Sequence, residues 1–219
     1  AAIIGVETRY GGNTGNYRVL DSLSTLAFGY PKRAKFFRKE LEEFLLLGRE
    51  ENIDIATAKG SYAGAMGMPQ FIPSSYRAYA VDFDGDGRRD LLNSTADVIG
   101  SVANYFKVHG WKSGDTVTLR ARTADTKLDA LVDAGMKPSL SPKTLTEHGV
   151  EVDGELAEHA LASLIRLENK SEDEYWLGLH NFYVITRYNH SNLYAMAVYQ
   201  LSQEILGLRT TTRDEPVGG

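Results

Sequence analysis

Thr116-Val117-Thr118-Leu119-Arg120-Ala121-Arg122 is where the periodicity of this chain changes, and its reading decides the fold. Val117, Leu119 and Ala121 alternate with polar residues, the period of a half-buried strand. Upstream the period is helical. Between Ala34 and Leu47, apolar Phe36, Phe37, Leu41, Phe44, Leu45 and Leu47 recur among Lys35, Arg38, Lys39, Glu40, Glu42 and Glu43. That spacing predicts an amphipathic helix with its charges turned to water. Asn93-Ser94-Thr95 offers caps for a second helix from Asp97 to His109, which Gly110 ends. Downstream, Lys127 to Ala134 reads as a short helix. Gly149 to Val152, Ala162 to Glu168 and Tyr175 to Leu179 read as strands between Pro and Gly breaks. From Tyr183 to Leu206 the helical stripe returns with Tyr194, Ala195, Val198, Leu201 and Ile205. The expected class is α+β: a mainly helical core with a small inserted β-containing domain. The expected bounds are 1–113 for the first part of the core, 114–178 for the β-rich insertion, 179–208 for the last part of the core and 209–219 for a loose polar tail.

Composition narrows the function. The chain has 219 residues, 42% hydrophobic and 24% charged, which excludes a disordered or fibrous protein. Asp and Glu number 29 against 24 Lys and Arg, so clustered cations for nucleic acid are not expected. Cys is absent, which excludes thiolate metal sites and thiol nucleophiles. No run of about 18 apolar residues spans a bilayer. Ala1-Ala2-Ile3-Ile4-Gly5-Val6 reads as the middle of a buried helix without a cap, so the chain is expected to begin inside a longer protein. The five His residues show no metal-ligand or triad spacing.

Four segments carry chemistry. In Val6-Glu7-Thr8-Arg9-Tyr10-Gly11, Glu7 ends an apolar helix. A carboxyl in apolar surroundings holds its proton towards neutral pH and suits a general acid for a glycosidic bond. The other reading is an exposed helix end, or a pair with Arg9. Ser61 to Ser75 combines small residues, glycines and prolines with polar and aromatic groups. Ser61 and Gln70 suit hydroxyl and acetamido groups, while Tyr62, Met66 and Phe71 offer flat or soft apolar contact. Taken alone, the segment also reads as a purely structural loop leading into a helix at Ser74 or Ser75. Asp82-Phe83-Asp84-Gly85-Asp86-Gly87-Arg88-Arg89-Asp90 has the oxygen spacing of an EF-hand calcium loop, with Gly87 at position 6 and the Arg88 carbonyl at position 7. Position 12 is Asn93 rather than Glu, so Asp97 is expected to complete the donors in a loop spanning 82–97. A structural ion is expected, not a sensor. Asn181 to Tyr194 is dense in Tyr and Asn, a composition that suits sugar rings as well as an ordinary core helix start.

Together these segments resemble the family B lytic murein transglycosylases (the MltB-like group, glycoside hydrolase family 103). The resemblance runs through Glu7-Thr8-Arg9-Tyr10-Gly11, Ser61 to Ser75, the Asp82 to Gly87 loop, Gly100 to Phe106 and Asn181 to Asn189, in the family's order. It implies a lysozyme-like core and a bacterial envelope or periplasmic enzyme that cleaves between N-acetylmuramic acid and N-acetylglucosamine. The resemblance also implies a 1,6-anhydro product. It makes Glu7 the single catalytic acid and base, with Ser61, Tyr62, Met66, Gln70, Tyr105, Tyr188, Asn189 and Tyr194 on the glycan. Asp82, Asp84, Asp86, Arg88, Asp90 and Asp97 become ligands of a structural Ca2+, with no organic cofactor. The expected partner is a peptidoglycan strand, met by a monomer. Rival readings are a hydrolytic muramidase and a calcium-stabilised glycan-binding module without turnover.

Overall fold

The computed structural model describes residues 1–123, 128–170 and 172–213, with side chains to residue 210. The chain forms two compact units, Ala1–Tyr105 and Phe106–Gly219.

The first unit is helical. It holds α1 (Ala2–Thr8), α2 (Val19–Gly29), α3 (Ala34–Glu50) and α4 (Pro73–Tyr79), and most of α5 (Thr95–Val108). A two-residue ribbon pairs β1 (Tyr17–Arg18) with β2 (Lys59–Gly60), Tyr17 opposite Gly60. Val19, Leu23, Phe44, Leu47, Met66, Leu91 and Val98 have no exposed surface, and each such side chain contributes about 2 kcal/mol by leaving water. The inward stripe of α3 is Phe37, Glu40, Phe44 and Leu47. Glu40 therefore departs from the expected charged face: it is 2% exposed. Its carboxylate accepts from the Ser74 backbone N at 2.9 Å and the Ser74 hydroxyl at 2.8 Å, at the start of α4. A buried carboxylate is tolerable when donors meet both oxygens.

The second unit carries a four-stranded antiparallel sheet, ordered β4 (Val150–Val152), β3 (Thr118–Thr123), β6 (Glu174–Gly178) and β5 (Ser163–Leu167). Leu119 faces Leu177, and Leu164 faces Leu177 from the other side. Ala121, Leu128, Leu131, Leu140, Leu145, Val150, Ala162, Leu164 and Leu177 form its core, to which α6 (Asp129–Val132) and α7 (Pro142–Glu147) contribute. Lys127, the first residue of the short helix expected there, lies outside the described residues.

The single helix expected over 183–206 is two helices, α8 (His180–Tyr188) and α9 (Asn192–Arg213). Asn189 takes an extended backbone, and the Ser191 hydroxyl accepts the Tyr194 backbone N–H at 3.2 Å as an N-cap. Short polar side chains that bond their own backbone break a helix even where the apolar stripe continues. Arg209 to Arg213, expected loose, continues α9, and 214–219 lies outside the described residues.

Candidate active site

Glu7 lies in the last turn of α1 and is half-buried rather than enclosed. The helix stops at once behind it. Arg9 and Tyr10 have φ of 52° and 58°, and their N–H groups bond the Gly5 and Ile4 carbonyls, a Schellman-type ending. Thr8, 1% exposed, locks this end. Its hydroxyl donates to the Met68 carbonyl at 2.8 Å, with the Ile4 carbonyl a second acceptor at 3.2 Å, and accepts from the Gly11 N–H at 3.0 Å. The residue beside Glu7 is thus tied to the Ser61–Ser75 segment, a role that the sequence reading missed. A Thr in an apolar helix is the only local signal, and its partner lies 60 residues away.

That segment folds back on itself through bridges Gly60–Met66 and Met66–Phe71. The Ser61 hydroxyl accepts from the Ala63 and Ala65 N–H groups at 3.3 and 3.0 Å, which shapes the turn under Tyr62. Gln70 sits at φ 53°, and its amide nitrogen donates to the Thr14 carbonyl at 3.1 Å and the Gly67 carbonyl at 2.9 Å. Gln70 therefore joins the segment to the loop after α1. Gly15 makes the tightest contact in this joint. Its φ is +96°, and an added Cβ would lie 2.1 Å from the Gly60 carbonyl oxygen. Gly15→Ala is expected to lower the unfolding free energy by roughly 3 kcal/mol, from strain plus overlap with backbone. Chemical denaturation measures it, and a loss under about 0.5 kcal/mol would contradict so close an approach.

Thr8–Met68, Gln70–Thr14 and Tyr17–Gly60 bring three segments of the first unit to one place: the end of α1, residues 9–18 and residues 59–72. Tyr62 stands 72% exposed on this patch, with Tyr17 at 61% and Tyr10 at 57%. Met66 is a correction. It has no exposed surface, so in this conformation its side chain packs beneath the segment and offers no contact to a ligand. Tyr105 is 7% exposed, with its ring 4.9 Å edge-on from Tyr79 and 5.8 Å from Phe71. Both support the segment from within the core.

The acidic loop follows α4. Ligand oxygens of Asp82, Asp84 and Asp86 lie within 4.8 Å of one another, all exposed. Asp82 accepts the Gly85, Asp86 and Gly87 N–H groups at 2.7, 3.1 and 2.9 Å. Ser94 donates to Asp84 at 2.8 Å. Three carboxylates this close repel one another, and an all-oxygen donor set fits a hard cation such as Ca2+. Asp90 and Asp97 stand outside this trio. Asp90 Oδ1 accepts the Leu92 and Asn93 N–H groups, both at 2.9 Å. Asp97, without exposed surface, accepts the Phe83 N–H at 2.8 Å on one oxygen and the Asp90 N–H at 2.7 Å on the other. It closes both ends of the loop. The exit is held by Tyr76, whose hydroxyl donates to the Arg89 carbonyl at 2.6 Å and accepts from the Leu91 N–H at 2.8 Å. Burial pushes that phenol well above its ordinary pKa, so it stays a donor.

Tyr188, Asn189 and Tyr194 belong to the second unit, at the α8–α9 break. The Tyr188 and Tyr194 rings are stacked with 11° between planes and 6.5 Å between centroids. Phe106 backs Tyr188 at 6.3 Å. Asn189 is exposed.

Comparison with known proteins bears on this arrangement. The family model described as "Transglycosylase SLT domain" matches residues 1–203. Membrane-bound lytic murein transglycosylase B of Escherichia coli (strain K12) is 52% identical over 203 residues, 93% of this chain and 55% of that protein. The chain thus spans about half the length of this curated relative. Soluble lytic transglycosylase SltB1 from Pseudomonas aeruginosa superposes with a TM-score of 0.89 at 54% identity, covering 95% of this chain and 69% of that one. Lytic transglycosylase Slt35 of Escherichia coli, solved in complex with calcium, gives 0.87 at 50% identity, covering 95% and 65%. The mixed helix and sheet is the lysozyme-like fold of these structures. From the match over residues 1–203 and these identities, the chain belongs to the transglycosylase SLT domain family, with the family B lytic murein transglycosylases as its relatives.

Proposed function

We propose that the chain is a peptidoglycan lytic transglycosylase in which Glu7 serves first as acid and then as base. The observation that carries this reading is the locked end of α1, where Thr8 ties the residue beside Glu7 to the Met68 carbonyl. Protonated Glu7 gives its hydrogen to the oxygen joining N-acetylmuramic acid C1 to N-acetylglucosamine, and that bond breaks. The substrate's own N-acetyl group stabilises the positive charge at C1. The Glu7 carboxylate then takes the hydrogen of the muramic C6 hydroxyl, whose oxygen closes on C1. The 1,6-anhydro sugar leaves and Glu7 is protonated again, without water and without an organic cofactor. Glycosidases that work with two carboxylates place them about 5 to 10 Å apart. Residues 9–18 and 59–72, the segments joined around the end of α1, contain no Asp or Glu. One carboxyl suffices when the substrate supplies the nucleophile.

In this reading Ser61, Tyr62 and Gln70 of the first unit contact the glycan, and Met66 and Tyr105 shape that surface from the core. Tyr188, Asn189 and Tyr194, the other glycan candidates, belong to the second unit and offer two ring faces and an amide there. Asp82, Asp84 and Asp86, with the Arg88 carbonyl, hold Ca2+, which supplies charge neutralisation to the loop. Asp90 and Asp97 set its backbone. The enzyme works as a monomer on peptidoglycan in the bacterial envelope, on the periplasmic side. Among the described residues, no helix is long and apolar enough to cross a membrane.

Mass spectrometry of sugars released from purified sacculi tests the activity. The expected products are anhydro-muropeptides, each one water lighter than the reducing sugar. Reducing ends alone would replace this reading with hydrolysis, and binding without release would replace it with a glycan-binding module.

A further inference from the structure

The second unit holds a groove of about 710 Å3 that the proposed chemistry does not use. That volume falls within the roughly 300–1,000 Å3 of small-ligand clefts. Its floor is apolar, from Leu156, Leu161, Leu179 and Tyr183, and Leu161 is 50% exposed. Its rim carries charges of both signs: Lys112 and Lys137, with Asp115 and Glu155. None of these four forms an ion pair among the described residues.

The walls are held in place. Asn181, fully buried, accepts the Lys112 N–H at 2.9 Å and donates to the Lys112 and Asp115 carbonyls at 2.7 and 3.1 Å. One side chain thus fixes the loop that carries both a cation and an anion of the rim. His180 bonds the Gly110 carbonyl at 2.7 Å at the same loop's start. Opposite, Leu140 and Ala162 exchange backbone bonds at 2.8 and 2.9 Å, which sets Lys137 and Pro138 against Leu161. A groove built this way pays little ordering entropy on binding.

The charge pattern selects the occupant. A phosphate or a nucleic acid would meet the lysines but be repelled by Asp115 and Glu155, and a neutral sugar would leave all four charges unmatched. A short peptide with ammonium and carboxylate groups and small apolar side chains satisfies rim and floor together. We infer that this groove binds the stem peptide of peptidoglycan, through Lys112, Lys137, Asp115 and Glu155 over the Leu161 and Tyr183 floor. The inference rests on the proposed substrate, since the stem peptide is the part of that polymer with this chemistry.

The test is calorimetric titration of the whole chain with synthetic L-alanyl-γ-D-glutamyl-meso-diaminopimelyl-D-alanine. Binding is expected to weaken with added salt. It is expected to weaken at least tenfold in the Lys112→Ala/Lys137→Ala protein, whose unfolding midpoint stays near that of the parent. On sacculus strands, the KM for peptide-bearing glycan should rise in this variant relative to the KM for strands stripped of peptide by an amidase. Absence of peptide binding, or equal affinity in parent and variant, would overturn the assignment. Peptide binding that depends on the lysines, in a protein that releases no anhydro sugar, would uphold the groove and remove the proposed activity instead.

Discussion

Glu7→Gln is expected to lower kcat for release of anhydro-muropeptides by about 10³-fold or more, with glycan binding retained. A single proton transfer by a positioned side chain is worth about 10²- to 10⁴-fold. Here one group carries both transfers, so an amide, which can give up no proton to the glycosidic oxygen and take none from the C6 hydroxyl, stops both. The substitution keeps side-chain volume and shape. Glu7 is half-buried at a helix end that Thr8 fixes independently, so stability should change by less than about 1 kcal/mol. KM should therefore move little while kcat collapses. Steady-state release of anhydro product by the variant and its parent checks this, alongside pull-down on sacculi. A variant that keeps a tenth of the parent rate would show that another group moves the proton.

What the sequence disclosed follows from which forces are local. Leu119 and Ala121 reveal a strand because alternation is a property of neighbouring residues, and β3 covers Thr118–Thr123. The trio Asp82, Asp84 and Asp86 is visible for the same reason, being fixed by spacing and two glycines. Glu40 was misread because a Glu among Lys39, Glu42 and Glu43 looks solvated. Only the start of α4, 34 residues later, supplies the donors that let it turn inward. Met66 has the chemistry of a soft ligand contact, yet the bridges to Gly60 and Phe71 enclose it. The break at Asn189 was hidden by an apolar stripe that continues through it, since capping by Ser191 competes with periodicity and wins. The candidate site was legible as separate segments. The joints between them, Thr8 to Met68 and Gln70 to Thr14, span 60 and 56 residues and leave no local mark.

Asp97→Ala is expected to cost about 3 kcal/mol of unfolding free energy and to uncouple the acidic loop from its helix. Hydrogen bonds to a charged acceptor contribute about 1.5–3 kcal/mol each. Asp97 makes two short ones, to the Phe83 and Asp90 N–H groups, plus a longer one of 3.4 Å to Asp84, from a site without exposed surface. Part of that is recovered because Phe83 and Asp84 are exposed and their N–H groups can turn to water. The larger consequence falls on the ion. In the parent, Ca2+ at a hundred times its dissociation constant should stabilise the fold by about 2.7 kcal/mol. Asp97 holds residues 83 and 90, on either side of Asp84 and Asp86, so without it the carboxylates are gathered only as the ion binds. The calcium-dependent rise in unfolding midpoint should therefore shrink in Asp97→Ala, and Asp97→Asn, which keeps one acceptor oxygen, should fall between. Urea unfolding with calcium and with chelator separates the two effects. Equal stability and an equal calcium response in Asp97→Ala would mean that the loop is closed by something other than this carboxylate.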